Sequence, residues 1–111
     1  MSDECEIDAI DGVALIATER KRQIVKEGFT PGHDSLNQYG DLALAAACYA
    51  LPENERPLDS NRGVPSYWPW AWDEMFWKPT PTDRIRELTK AGALIAAEID
   101  RLQRAQKGGG K

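Results

Sequence analysis

The chain has one histidine, two cysteines and no apolar run long enough to span a bilayer, and each shortage removes a class of function. With His33 alone, the common zinc sites cannot be assembled, nor can a phosphohydrolase built on several metal-binding histidines. Cys5 and Cys48 have no metal-ligand spacing and form no disulfide framework; Cys48 reads as a small buried hydrophobe and Cys5 as part of a tail. The longest apolar run, Leu42 to Leu51, falls well short of the roughly 20 residues a membrane helix needs. The N-terminus, Met1-Ser2-Asp3-Glu4, is acidic where a signal peptide is basic, so the cytoplasm is the expected location. A basic excess is missing too. The formal net charge is −4, so the chain has no general attraction to phosphate backbones, and nucleic acid is not an expected partner. There is no phosphate loop, dinucleotide fingerprint, nucleophile motif, internal repeat or strand-like alternation, so neither a cofactor nor a metal is expected.

What remains is a chain of 111 residues, the size of one domain, with ordinary hydrophobic (41%) and charged (29%) fractions that argue for a folded globule. Its aromatic content is concentrated. Tyr67 to Pro79 contains all four tryptophans, Trp68, Trp70, Trp72 and Trp77, with Tyr67 and Phe76. Rings of this kind each bury on the order of 150–250 Å², so the stretch is either the lid of a core or the wall of a site.

The helical signals bracket that stretch. Residues 1–9 are acidic and lack an apolar face, and read as a flexible tail. Val13, Ile16, Ala17 and Ile24 recur at the helical period and Gly28 follows, giving a first helix over 11–27. Arg20 falls in the middle of its apolar face. Two readings of Arg20 stay open: a side chain laid over the core with its guanidinium at the rim or paired with an internal carboxylate, against a fork aimed into a pocket at an anion. Phe29 to Asp34 is a turn-rich loop in which His33 and Asp34 either fasten the loop or line a site. Residues 41–51 form a second helix, apolar all round and therefore expected at the centre, stopped by Pro52. A proline-rich loop covers 52–80. Thr80-Pro81-Thr82-Asp83 then signals the start of a last helix over 81–106, with Ile85, Leu88, Gly92, Ile95, Ile99 and Leu102 at alternating spacings of three and four. Gly92 on that seam calls for close packing, which the alanine-rich second helix would supply. Residues 107–111 read as a disordered tail. The fold class expected is all-α, a small three-helix arrangement with a Trp/Pro-rich loop packed on it.

Several stretches together carry a resemblance. Thr18 to Ile24, Glu27 to Pro31 with His33-Asp34, Gly40 to Ala50, Trp68-Pro69-Trp70, Trp77-Lys78-Pro79, Lys90 to Ile99 and Arg101-Leu102 resemble small proteins of tailed phages and prophages that mostly have no assigned function. Phe29 stands where those relatives usually have tryptophan, and the loop before Tyr67 varies in length among them. The resemblance implies expression inside an infected bacterium and action on host machinery, including host defence.

Three functions follow. The first is a non-catalytic binding protein that sequesters or blocks a host component. Arg20, Arg22, Arg84 and Arg86 would grip phosphates and Trp68, Trp70, Trp72 and Trp77 would stack on a base, with His33 and Asp34 nearby. The same residue types dominate protein interfaces, so the partner is either a nucleotide-derived small molecule or a host protein. The second is a magnesium-dependent nucleotide hydrolase using Glu19, Glu27, Asp34, Asp41 and Glu98. The third is a small core completed by the tryptophans, with the last-helix seam forming a homo-oligomer.

Overall fold

A computed structural model of the chain describes residues 11–27 and 40–109. The expected tail at 1–9, and His33 and Asp34 with the loop that carries them, lie outside the described residues. Three helices organise the rest: α1 (Gly12–Lys26), α2 (Asp41–Ala50) and α3 (Arg84–Gly109). Between α2 and α3 lie single 3-10 turns at Glu53–Glu55 and Glu74–Phe76 and a two-stranded antiparallel ladder, β1 (Leu58–Asp59) with β2 (Val64–Pro65). The protein is thus mostly helical, but the expectation of no strand is corrected. Two residues per strand are too few to show a period of two in the sequence. The ladder depends instead on its turn, where Arg62 and Gly63 N–H groups return to the Asp59 carbonyl and Gly63 takes φ +73°, a conformation that favours glycine.

Local chemistry sets the helix ends. The Asp11 side chain accepts from the Ala14 N–H at 2.9 Å and opens α1. Gly40, at φ +78°, turns the chain into α2, and Asp41 supplies negative charge to its first turn. The start of α3 is three residues later than the Thr80-Pro81 signal indicates. Thr80 to Asp83 closes as a turn, and Asp83 is the cap, its carboxylate accepting from the Arg86 N–H at 3.1 Å. At its far end α3 continues through Lys107 to Gly109, where a disordered tail was expected.

The hub is α3, packed against both α1 and α2. The second helix is therefore not central, and its Ala43 and Leu44 face outward. Its other face, Leu42, Ala45, Ala46, Cys48 and Tyr49, meets Ala91, Leu94 and Ala97 of α3 with Val64 and Trp68 from the loop. Gly92 does not serve that contact. A Cβ there would come within 2.4 Å of the Ile16 Cδ1 atom, so the missing side chain is the notch into which α1 seats.

Charge fixes the end of α2. Its last carbonyls have no helical partners, and two guanidinium groups take them. Arg56 Nε donates to Cys48 O at 2.7 Å, and Arg84 donates to Tyr49 O at 2.8 Å, to Leu51 O at 3.2 Å and to Ala50 O. Both arginines converge on the Glu87 carboxylate, at 2.8 Å from Arg56 and 2.9 Å from Arg84, and the Thr80 N–H donates to its second oxygen. Glu87 is 1% exposed. Burial pushes its carboxyl up, but hydrogen bonds from Arg56 and Arg84 and the charge of Arg56 outweigh this and hold it below its ordinary value.

Glu87→Ala leaves two guanidinium groups without their counter-ion and is expected to lower the unfolding free energy by about 3–5 kcal/mol in urea. Because the folded carboxyl lies below its unfolded value of about 4.3, the contribution is complete above that pH and is lost as pH falls through the folded value. A loss under about 1 kcal/mol at neutral pH would contradict this role.

Candidate functional site

Glu19, Gln23 and Glu27 lie four residues apart and share one face of α1. Glu19 is 2% exposed and Gln23 3%, unusual burial for such side chains. Glu19 is neutralised from two directions. Arg22 of the same helix donates to both its oxygens at 2.9 Å, Arg86 of α3 reaches Oε1 at 2.7 Å, and Gln23 Nε2 adds a bond at 3.1 Å. Burial raises its carboxyl, but the bonds and charges of Arg22 and Arg86 prevail and hold it low, while the bonds to Glu19 hold the Arg22 guanidinium above its ordinary value.

Facing this cluster is the aromatic core. Trp68 is buried, with ring centroids 5.5 Å from Trp72, 5.4 Å from Trp77 and 6.1 Å from Tyr49; Tyr49 and Trp77 are 4.6 Å apart. The Tyr49 hydroxyl donates to Phe76 O at 3.3 Å and accepts from the Lys78 N–H at 2.9 Å, which tethers the Trp loop to α2. Lys90 of α3 donates from Nζ to Lys78 O at 2.7 Å, with its ammonium 5.3 Å from the Tyr49 ring centroid.

The two clusters enclose a pocket of about 40 Å³ lined by Glu19, Arg22, Gln23, Glu27, Tyr49, Trp68, Trp72, Lys78, Lys90 and Leu94. Three cationic side chains stand against two carboxylates there. Glu27 is already engaged by Arg22 at 3.2 Å and lies 3.8 Å from the Lys78 ammonium. Burial, then the charge of Arg86, with Arg22 and Lys78 adding to it against Glu19, pushes the Lys90 ammonium below the ordinary lysine range. The Gln23 Oε1 atom is buried and has no hydrogen-bond partner among the described residues. The pocket therefore offers a spare acceptor and a surplus of positive charge beside two indoles.

Two wider depressions flank it. A cleft of about 600 Å³ runs between α1 and the start of α3, with Ala14, Leu15 and Ile85 on its walls and Arg22 and Arg86 at its base. A groove of about 430 Å³ lies between Leu44 of α2 and Tyr67, Pro69 and Trp70 of the loop.

Of the residues singled out by sequence, the fold brings Arg22, Trp68 and Trp72 to the small pocket, with Trp77 behind Tyr49 and 5.1 Å from the Arg56 guanidinium. Arg20 is elsewhere, its largely buried side chain 3.6 Å from the half-exposed carboxylate of Asp100. Arg84 binds the end of α2. Trp70 is 79% exposed and stacks at 4.1 Å on Arg62, whose guanidinium donates to the Trp68 and Pro69 carbonyls. Among the described residues the carboxylates considered for magnesium form no group that could hold a metal ion: Glu19 and Glu27 are taken by arginine, Glu98 pairs with Arg101 at 2.8 Å, Asp41 sits in the first turn of α2, and Asp34 lies outside the described residues. Sequence reasoning missed Gln23, Tyr49, Lys78 and Lys90. The first two sit at core spacing in their helices, but nothing near Lys78 or Lys90 in sequence marks them as lining a pocket.

Comparison with known protein families, curated proteins and solved structures finds no match to this chain.

Burial, opposed by the bond from the Lys78 N–H, pushes the Tyr49 phenol up to about 12. In an ultraviolet titration, the wild-type minus Tyr49→Phe difference is expected to have its midpoint near that value; a midpoint near the ordinary tyrosine value of about 10 would show the hydroxyl to be outside the core.

Proposed function

We propose that the protein is a non-catalytic binding protein whose pocket between α1, the Trp loop and α3 takes the anionic end of a nucleotide-like small molecule. The observation that supports this is the convergence of Arg22, Lys78 and Lys90 beside Trp68 and Trp72. A volume of about 40 Å³ corresponds to about three water-sized spheres, room for a phosphoryl or carboxylate group and not for a whole nucleotide. The remainder of such a ligand lies outside this pocket. An anion there supplies the charge that the cations around Lys90 lack. Sequestration fits the geometry better than hydrolysis, because Glu19, Glu27 and Glu98, three of the carboxylates that would have to hold magnesium, are paired with guanidinium groups. The phage resemblance makes the ligand one of the infected host, including the signals of its defence.

The test is thermal unfolding against orthophosphate, pyrophosphate and a panel of linear, cyclic and ADP-ribose-type nucleotides. A ligand at about 100 times its dissociation constant adds roughly 2.7 kcal/mol, a rise on the order of 10 °C for a chain of this size. Lys90→Met is expected to abolish the rise while keeping the fold. No rise with any compound, or a rise that survives in Lys90→Met, would overturn the reading.

A second reading, inhibition by protein contact, is favoured by one feature. Trp70 is held outward on an arginine that is itself anchored, the pre-organised aromatic that dominates protein interfaces. Trp70→Ala is expected to remove capture of a host protein from extract and leave the melting temperature within about 2 °C, since an exposed ring contributes little to folding. Capture that survives the substitution would rule out this reading.

A further inference from the structure

The groove of about 430 Å³ between α2 and the Trp loop has a different chemistry from the small pocket. Its walls are rings and aliphatic carbon: Leu44 from α2, then Tyr67, Pro69 and Trp70 from the loop, with Tyr67 49% and Trp70 79% exposed. Trp70 is held in place. Arg62 backs its ring at 4.1 Å and is itself fastened to the Trp68 and Pro69 carbonyls and to Glu74 at 3.5 Å. Arg62 does not line the groove, so the ring meets it with surface that the guanidinium leaves uncovered. The backbone beside these rings is already engaged. The N–H groups of Ser66, Trp68 and Trp72 donate to the carbonyls of Pro57, Pro65 and Pro69, Pro69 has no N–H, and Arg62 takes the Trp68 and Pro69 carbonyls. An incoming strand would therefore find few partners for its own backbone.

We propose that this groove binds a proline-rich peptide segment that carries a lysine or arginine beside its prolines. The inference rests on the protein-contact reading above and names the chemistry of the partner. An occupant of this groove has to be held through side-chain surface, and its own backbone must not depend on pairing. A polyproline II segment meets both conditions: it makes no internal hydrogen bonds, its prolines have no N–H to satisfy, and its fixed φ lowers the entropy lost on binding. Grooves lined by aromatic rings are where such segments dock, each proline ring lying against an aromatic one. The charge follows from Asp41. Among the described residues it is the one charged side chain on the walls, so a cation next to the prolines is matched and an anion opposed. Arg101, whose guanidinium feels the Asp41 charge, already has Glu98 as its hydrogen-bonded partner.

Fluorescence anisotropy on the full chain tests this with labelled synthetic peptides: an oligoproline with one arginine at either end, the same peptides with glutamate for arginine, and the same with alanine for proline, which favours a helix. The arginine-bearing oligoproline is expected to bind saturably, and its glutamate counterpart about two- to fivefold more weakly. Trp70→Ala should weaken binding at least about tenfold, Asp41→Asn should remove the preference for arginine over glutamate, and Lys90→Met should change neither. Absence of saturable binding at millimolar peptide, equal binding of the arginine and glutamate peptides, equal binding of the alanine peptides, or binding that ignores Trp70→Ala would each overturn the inference. If a host protein is captured through Trp70 while no oligoproline binds, the proline-rich partner is ruled out and the protein-contact reading stands.

Discussion

Two glutamates buried in the interior, each gripped by two guanidinium groups, hold this protein together. Glu87 binds Arg84 from its own helix and Arg56 from the loop, and those arginines in turn occupy the carbonyls that end α2. Glu19 binds Arg22 from its own helix and Arg86 from α3. Each carboxylate joins two parts of the chain far apart in sequence. A buried ion pair of this kind adds little net stability over an apolar substitute, but removing one partner strands the other charges. The arrangement therefore specifies geometry: α2 must end where Arg56 and Arg84 meet Glu87, and α1 must cross α3 where Ile16 meets Gly92 and Glu19 meets Arg86.

The candidate pocket is a product of that geometry. With Arg22 and Arg86 committed to Glu19, the same cluster raises the local positive potential around Lys90, which is itself half-buried and tied to the Trp loop through the Lys78 carbonyl. The tryptophans divide their tasks accordingly. Trp68 completes the core, Trp72 and Trp77 pack against it, and Trp70 alone is turned out on the Arg62 guanidinium. A single aromatic segment thus closes the core, walls the pocket and presents one exposed ring.

What was legible in the sequence is what depends on neighbours along the chain. The three helices follow from period, caps and breakers, and their ends differ from expectation by at most three residues. Cys48 as a buried small side chain and Gly92 as a packing notch were readable, although the residue filling the notch was not, because Ile16 is 76 positions away. The inward face of α1 was misread: Val13 is 78% exposed, and Glu19 and Gln23 are buried in place of the expected apolar row. The β1–β2 pair was too short to leave a pattern. The burial of Glu19 and Glu87 was illegible for a deeper reason: a carboxylate at a core position is stable only if its cations arrive, and Arg56 and Arg86 arrive from separate segments. The same holds for Lys90, which alone on a helix looks like any solvated lysine.

The central claim is that the buried cluster leaves Lys90 short of negative charge, which a bound anion restores. It is tested most directly by following the Lys90 ε-carbon by NMR across a pH titration, with Lys90→Met for assignment, first in the free protein and then with saturating orthophosphate or a nucleotide. The account predicts a free-state titration below the ordinary lysine value of about 10.4 that moves up when the anion is present. A lysine that titrates at its ordinary value and ignores every anion would contradict it.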